Sequence, residues 1–384
     1  MSEISRILSD KKLDRHNGRL VEQLQSITAD DVKRALGQRC GEYSLERMLT
    51  LISPAAENFL EEMAAQAAEL TVQRFGRTIQ LYAPLYVSNY CCNSCLYCGY
   101  NTANKFERTR LTIEDALADA DIIASEGFRH ILLVSGEDPA FVTCDYLNEL
   151  AEKLRSKFSS ISIEIQPMSK EDYARVFKGG IDGVTLYQET YDRDVYAKYH
   201  KSGPKSDYDY RLQTHDRTAS AGMRRLGIGF LLGLNDWRLE TLAMSEHAAY
   251  LMKTYWRSQV SFSFPRLRPA LNVAGNYDHL VNERRLVQLM LALRLCFADA
   301  GIVLSTRESA QLRDNLVKLC ITRISAGSKT NPGGYTGTEK SAEQFVIDDD
   351  RSAGKIAGII KAAGREAVWK DWDAGFAATG ENEI

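Results

Sequence analysis

Four of the eight cysteines lie between residues 91 and 98, and three of these have the spacing C-x₃-C-x₂-C. Three thiolates on one short loop, Cys91, Cys95 and Cys98, can bind three corners of an iron–sulfur cube and leave the fourth iron open for a small molecule. A zinc ion is the alternative, but structural zinc takes four protein ligands and no suitable fourth cysteine or histidine lies nearby. Cys92 is adjacent to Cys91, so we expect its side chain to point away from the metal and to be buried.

The remaining composition is that of a soluble chain in a reducing compartment. The other four cysteines are scattered, as expected for small core residues rather than a disulfide framework. A net charge of -3 argues against nucleic acid or an anionic membrane as the main partner. No signal peptide and no run of about 18 apolar residues is present, so the sequence predicts a cytoplasmic protein.

Short β-rich runs alternate with amphipathic helical stretches after residue 78. The predicted strands cover residues 80–87, 130–135, 161–165, 183–187, 226–232, 259–264, 302–305 and 320–324. This alternation indicates parallel βαβ units, and eight runs predict a full or nearly full (β/α)₈ TIM-type barrel. We predict a helical N-terminal extension over 1–78, the barrel over 79–327, and a C-terminal extension over 328–384 that packs on the barrel. Within that extension, Asp348-Asp349-Asp350 resembles the start of a helix.

Polar residues follow most of the predicted strands, at the end where barrels of this type carry their active sites. After the cysteines of the first strand, they are Ser135-Gly136-Glu137, Glu164 and Gln166, Gln188 and Glu189, Arg266 and Arg268, Ser305-Thr306-Arg307, and Ser325 to Lys329. Because parallel strands in a barrel end on one face, we expect these side chains to surround the cysteine loop.

The cysteine motif, with the aromatic Tyr97 before its last cysteine, resembles the signature of the radical S-adenosylmethionine (SAM) superfamily. The resemblance implies one [4Fe–4S] cluster, whose open iron binds the methionyl amine and carboxylate of SAM. One-electron reduction, from a donor such as flavodoxin or ferredoxin, then releases a 5′-deoxyadenosyl radical. The same resemblance assigns Ser135-Gly136-Glu137 to the motif that receives the methionyl amine, and Tyr97 to the cofactor site. Glycine permits a close backbone approach and a carboxylate can accept from an amine.

Further stretches make the chain similar to the 2-iminoacetate synthases, the tyrosine lyases of thiamin biosynthesis, over roughly residues 30 to 375. They are ISPAA (52–56), LYAPLYVSN (81–89), VTLYQETY (184–191), SFPRLRP (263–269), STRES (305–309) and WKDWD (369–373). The resemblance implies cleavage of the Cα–Cβ bond of L-tyrosine to 2-iminoacetate and p-cresol. Thiazole synthase is then the expected partner that receives the imine.

The substrate implied by this resemblance has a carboxylate, an amine and a phenol. A bound carboxylate favours a bidentate guanidinium, so we expect Arg307, beside Ser305 and Thr306, to hold it. A salt bridge is the alternative role for Arg307. Four further residues could bind the tyrosine amine, the SAM amine or ribose hydroxyls: Glu164, Gln166, Gln188 and Glu189. Each could equally be a residue at the end of the barrel whose hydrogen bonds are made within the protein. We place Gln188 and Glu189 with Arg307 at the catalytic centre.

Several other polar residues have two interpretations each. His200, His215 and His247 could supply acid–base chemistry for the phenol, but all three lie in helix-like stretches, where histidines usually pack or face solvent. Arg266 and Arg268 could equally neutralise glutamates at the end of the barrel.

Two rival functions remain to be weighed. The tyrosine-cleaving maturase of [FeFe]-hydrogenase carries a C-terminal three-cysteine site for a second cluster, whereas the 64 residues after Cys320 contain no cysteine. A non-catalytic zinc-binding module would explain the cysteines but not the polar residues at successive strand ends.

Overall fold

Eight parallel strands close into a barrel in the computed structural model, which describes residues 2–273, 275, 277–337 and 341–370. Each strand pairs with the next along the chain, and β1 pairs with both β2 and β8. The strands are β1 (Thr78–Ser88), β2 (His130–Ser135), β3 (Ser160–Glu164), β4 (Gly183–Thr185), β5 (Arg225–Gly229), β6 (Gln259–Ser263), β7 (Gly301–Leu304) and β8 (Arg323–Ser325). The predicted (β/α)₈ TIM-type barrel is confirmed, and every predicted strand overlaps an observed one.

Helices surround the barrel because each connection between parallel strands must cross back over its outer face. They are α6 (Ile113–Ser125), α7 (Cys144–Leu154), α8 (Lys170–Lys178), α9 (Arg193–Tyr199), α10 (Tyr208–Leu212), α11 (Thr214–Ser220), α12 (Trp237–Thr254), α13 (Glu283–Cys296) and α14 (Ala310–Leu316). Side chains at the N-caps satisfy the first free N–H groups of several of them; Thr112, Thr143 and Ser169 do this for α6, α7 and α8. The helices therefore begin where the sequence leaves a strand-end loop.

The N-terminal part is helical, with α1 (Glu3–Asp10), α2 (Gly18–Ser26), α3 (Ala29–Leu36), α4 (Leu45–Leu51) and α5 (Leu60–Phe75). The helix α3 begins at Ala29, where Thr28 and Asp31 form a capping box. The helix α4 packs on α12 and α13, and α5 packs on α13; the apolar residues of both belong to the same hydrophobic core as the barrel.

The C-terminal part differs from the prediction at the acidic run. The helix α15 spans Ala353–Ala362 and begins after Ser352, not at residues 348–350. Asp349 is instead buried in ion pairs with Arg313 and Arg351, because the fully buried Arg313 guanidinium requires a negative partner. A short strand, β9 (Glu366–Val368), then pairs with the first residues of β1. Residues 371–384 of the predicted extension lie outside the described residues, and the three domain limits stay predictions.

None of the described helices combines the length and the apolar character that a bilayer-spanning segment needs.

Candidate active site

The cysteine loop (residues 89–101) leaves the end of β1 and is held from two sides. Arg108 donates from Nη1 to the backbone oxygens of Asn89 (2.7 Å) and Tyr100 (3.2 Å), which fixes the two ends of the loop. On the other side, Cys95 forms an antiparallel bridge with His200. Of the three predicted ligands, Cys95 is buried, while Cys91 and Cys98 are half-buried. These contacts hold both ends and the centre of the loop in place.

The donor set fits a cluster better than a single metal ion. Among the described residues, no three Cys, His, Asp or Glu side chains converge on one ion position, which a zinc site would require. A cube accepts three thiolates on three separate irons, so the thiols need not converge. Burial raises the pKa of Cys95 to about 12 and also raises the pKa of Cys98, so these thiols need a bound cation to become thiolates.

Cys92 does not have the predicted burial. It is exposed, although its backbone N–H donates to the oxygen of the buried Glu137 (3.0 Å). Because the backbone is fixed on the inner side, the thiol is left on the outer side of the loop.

The predicted Ser135-Gly136-Glu137 turn packs directly on the cysteine loop. A Cβ on Gly136 would lie 2.1 Å from the Tyr90 oxygen, so only glycine permits this approach. The Ser135 hydroxyl is buried and has no hydrogen-bond partner among the described residues. An unpartnered buried hydroxyl beside the cysteine loop suits a bound polar ligand, because burial without a partner is costly.

Two cations that sequence analysis missed bind the predicted carboxylates. Arg211 donates to Glu137 (3.0 Å) and to Glu189 (3.3 Å), and Lys205 pairs with Glu189 at 2.7 Å. Burial opposes ionisation of Glu189, but Lys205 and Arg211 outweigh it and lower its pKa. Both cations lie in the connection between β4 and β5, far along the sequence from the end of either strand. No motif or spacing marks them.

Glu189 also has an unusual backbone, with φ of 70°, in the left-handed region that non-glycine residues rarely adopt. The following turn is held by Glu240, whose carboxylate accepts from the Thr190 hydroxyl and the Tyr191 N–H, both at 2.6 Å. Strain of this kind persists where the surroundings fix it, often at functional sites.

Tyr97 is tied to the segment that flanks the loop. Its hydroxyl lies 2.8 Å from Nε2 of His200, and Nδ1 of His200 lies 2.8 Å from the Tyr196 oxygen. Burial and Lys205 lower the pKa of His200 to about 3, so the ring is neutral. Nδ1 must then donate to the carbonyl, and Nε2 accepts from Tyr97. His200 therefore orients Tyr97.

The two predicted glutamines have structural partners. Gln166 accepts from the Asp138 N–H (3.3 Å) and donates to the Val142 oxygen (2.8 Å), so its amide holds the loop after β2. Gln188 is buried and donates to the Tyr208 oxygen at 3.4 Å. Their predicted roles toward ligands stay predictions.

A second polar group surrounds Arg307 in a cavity at the same end of the barrel. Ser305, Thr306, Arg307 and Glu164 line it together, with the aromatic side chains Tyr82, Tyr86, Tyr187 and Phe345. Burial raises the pKa of Glu164 to about 7, and the positive charge of Arg307 opposes that rise. Tyr86 and Val134 line this cavity and also pack against Cys91 and Cys98. Residues of the cavity lining and two cysteines of the loop therefore belong to one cluster of packed side chains.

The remaining candidates are engaged elsewhere. Arg266 pairs with Glu308, and Arg268 pairs with Asp348 (2.6 Å). His215 and His247 are buried, and desolvation lowers the pKa of both.

The sequence matches the radical SAM superfamily over residues 85–244 and the biotin and thiamin synthesis associated domain over residues 263–366. It is 42% identical to the 2-iminoacetate synthase of Escherichia coli over 92% of this chain and 93% of that protein. It is 43% identical to the 2-iminoacetate synthase of Salmonella typhimurium over 92% of this chain and 93% of that protein. The chain belongs to the 2-iminoacetate synthase family.

Solved structures of two related enzymes share the fold of this 2-iminoacetate synthase family member. The hydrogenase maturase HydG is 31% identical, with a TM-score of 0.88 over 96% of this chain and 81% of that chain. Methylornithine synthase is 20% identical with a TM-score of 0.69, which supports the fold alone. As a radical SAM enzyme, the family member requires a [4Fe–4S] cluster, SAM and a reductant.

Proposed function

We propose that this enzyme cleaves the Cα–Cβ bond of L-tyrosine to give 2-iminoacetate and p-cresol. Arg307 carries the proposal, because it is a cation inside an aromatic-lined cavity that packs against the cysteine loop. No carboxylate of the described residues lies within ion-pair distance of it, which supports substrate binding over the alternative role in a salt bridge. Its guanidinium is free to bind the carboxylate of an amino acid in the bidentate manner.

Glu164 supplies the complementary acceptor in the same cavity. A tyrosine zwitterion carries an ammonium group beside its carboxylate, and Arg307 and Glu164 present one charge of each sign when the pH is above the raised pKa of Glu164, about 7. Ser305 and Thr306 lie on the same strand end and are placed to donate to the carboxylate. The rings of Tyr86, Tyr187 and Phe345 provide an apolar lining for the phenol ring.

The cofactors occupy the neighbouring region in this proposal. Cys91, Cys95 and Cys98 hold one [4Fe–4S] cluster. Bound there, the cluster and SAM would supply the radical chemistry that removes a hydrogen atom from tyrosine. Gly136 lets the backbone approach the cofactor, and Ser135 offers its unpartnered hydroxyl.

Three further side chains complete the cofactor region. The carboxylates of Glu137 and Glu189 pair with Arg211 and accept the polar hydrogens of SAM. Tyr97, which is oriented by His200, lies at one side of the cofactor region.

The product accounts for the proposed partner. An imine of this kind hydrolyses in water, so direct transfer to thiazole synthase would preserve it for thiazole formation. The electron comes from flavodoxin or ferredoxin.

Substrate analogues test the zwitterion site. Tyramine lacks the carboxylate that Arg307 binds, and 3-(4-hydroxyphenyl)propionate lacks the amine that Glu164 accepts. With the loaded enzyme, L-tyrosine should give p-cresol and neither analogue should do so at a comparable rate. Release of p-cresol from tyramine as fast as from tyrosine would contradict the role of Arg307.

A further inference from the structure

Tyr187 and Ser263 lie at the inner end of the cavity that contains Arg307. Both residues line this cavity and also a second cavity deeper in the barrel, whose lining includes His130 and Ser160, the first residues of β2 and β3. Arg307 lies beyond the end of β7, whereas Ser263 is the last residue of β6. The substrate cavity therefore extends from Arg307, at the end of the barrel, inward to Tyr187 and Ser263.

The hydroxyl groups of Tyr187 and Ser263 form a hydrogen-bonded pair. The Tyr187 hydroxyl donates to the Ser263 oxygen at 3.0 Å. Burial raises the pKa of Tyr187 well above its usual value, so its hydroxyl keeps the proton that it donates. Ser263 is buried, and its own hydroxyl donates to none of the described residues. The pair therefore retains one unused donor, on Ser263, and unused lone pairs on both oxygens.

A glycine on the intervening strand makes this pair possible. Gly229, on β5, pairs in register with Ser263 on the neighbouring strand β6. A Cβ on Gly229 would lie 2.8 Å from Cδ1 of Tyr187 and 1.9 Å from the Ser263 backbone oxygen. A side chain at this position would therefore obstruct the Tyr187 ring, which follows β4 and crosses β5 to reach Ser263. The sequence keeps this space open, and the hydroxyl pair fills the inner end of the cavity.

The surroundings of the pair suit an uncharged ring that carries one polar group. The four residues shared by the two cavities are Tyr82, Leu132, Tyr187 and Ser263, and none of them is charged at neutral pH. The charged groups of the substrate cavity, Arg307 and Glu164, lie in the part that the second cavity does not share. An amino acid held at Arg307 therefore directs its side chain toward the hydroxyl pair.

We propose that the hydroxyl pair of Tyr187 and Ser263 binds the phenol hydroxyl of the substrate and selects tyrosine over phenylalanine. This inference rests on the proposed function, because it takes the amino-acid end of the substrate to be held by Arg307. The phenol O–H donates to the Tyr187 oxygen, and the Ser263 hydroxyl donates to the phenol oxygen. Phenylalanine offers neither partner, and a site built to bind a substrate hydroxyl disfavours the analogue that lacks it.

Amino-acid binding to the enzyme loaded with cluster and SAM, without a reductant, tests the proposal. Calorimetry then measures the affinities for L-tyrosine and L-phenylalanine in the absence of turnover. Two neutral hydrogen bonds should make the wild type bind tyrosine about 10- to 100-fold more tightly than phenylalanine. Ser263→Ala should weaken tyrosine binding roughly five- to tenfold and leave phenylalanine binding unchanged, because one of the two bonds is lost. Tyr187→Phe should have a similar effect.

Two serine-to-alanine controls separate the phenol contact from other effects. Ser162 lines the deeper cavity but not the substrate cavity, so Ser162→Ala should change neither affinity. Ser305 lies at the carboxylate end, so Ser305→Ala should weaken tyrosine and phenylalanine by the same factor. In Ser263→Ala and Tyr187→Phe, the retained affinity for phenylalanine shows that the cavity is intact.

Two results would overturn the proposal. One is equal binding of tyrosine and phenylalanine by the wild type, and the other is an undiminished preference for tyrosine in both Ser263→Ala and Tyr187→Phe. If p-cresol still formed from tyrosine in either case, the proposed function would stand and only the role of the hydroxyl pair would be wrong. A loaded wild type that bound neither amino acid would contradict the proposed function itself, and the role of the pair with it.

Discussion

The Arg307 guanidinium carbon lies 3.4 Å from the centroid of the Phe345 ring. Within the described residues the guanidinium donates one hydrogen bond, to the backbone oxygen of Arg266, at the long distance of 3.5 Å. A stacked arginine keeps its charge and its hydrogen-bond donors while its plane is held in place. Arg307 is thus oriented by an aromatic ring and not consumed by a carboxylate.

Replacing Arg307 tests its role in substrate binding. Hydrogen bonds to charged groups contribute about 1.5–3 kcal/mol, so Arg307→Ala should raise the KM for tyrosine roughly 10- to 100-fold. SAM binding, measured by calorimetry, should change little. Arg307→Lys should recover only part of the loss, because one ammonium group cannot form the bidentate contact. An equal weakening of both ligands would place Arg307 outside the substrate site.

The cysteine assignment predicts a sharp division among neighbouring residues. Cys91→Ala, Cys95→Ala and Cys98→Ala should each lose the cluster and abolish 5′-deoxyadenosine formation, since a cube held by two thiolates is incompletely ligated. Cys92→Ala should keep most of its activity because its thiol lies on the outer side of the loop. Iron content and 5′-deoxyadenosine are the measurements, with the distant Cys144→Ala as control. Full activity in Cys95→Ala would refute the cluster assignment.

The buried pair of Arg211 and Glu137 should matter for both stability and SAM. Removing one partner leaves an unpaired buried charge, so Arg211→Ala should lower the free energy of unfolding by about 3–5 kcal/mol. The exposed pair of Arg74 and Asp299 is the comparison, and Arg74→Ala should cost less than about 1 kcal/mol. Denaturant unfolding distinguishes the two variants.

A second measurement on the same residue concerns the cofactor. Arg211→Lys keeps the charge and should retain more SAM affinity than Arg211→Ala. If both variants bound SAM as the wild type does, the network around Glu137 and Glu189 would be structural only.

Glu164 predicts a pH dependence near neutrality. Because burial raises its pKa to about 7, the carboxyl group is mostly protonated below that pH and ionised above it. Only the ionised form accepts fully from the tyrosine ammonium, so kcat/KM for tyrosine should rise as the pH passes through about 7. Glu164→Gln should lower kcat/KM and remove the inflection. If the inflection persisted in Glu164→Gln, it would belong to another group. Glu240 is one such group, because burial also raises its pKa to about 7.

The extent of successful prediction follows from where each residue lies along the chain. Cys91, Cys95 and Cys98 are neighbours in sequence, so their spacing already defines the metal site. Arg307 follows a strand directly, and the barrel geometry brings that strand end to the cavity. Both kinds of residue could be predicted because local order fixes their position.

Arg211 and Lys205 could not be found in this way. They lie in a long connection that folds back over the end of the barrel, and only the packed structure brings them to Glu137 and Glu189. The acidic run at 348–350 misled for a related reason. Asp349 resembles an acidic residue in the first turn of a helix. It lies before α15, however, and its carboxylate neutralises Arg313 on α14.

An anaerobic assay of the iron-reconstituted enzyme with dithionite, SAM and L-tyrosine tests the central claim most directly. The products to quantify are 5′-deoxyadenosine, p-cresol, glyoxylate (formed by hydrolysis of 2-iminoacetate) and cyanide. Tyrosine cleavage to the imine predicts that the first three appear together and that cyanide does not. Formation of 5′-deoxyadenosine without p-cresol, by a protein with its cluster in place, would contradict tyrosine as the substrate.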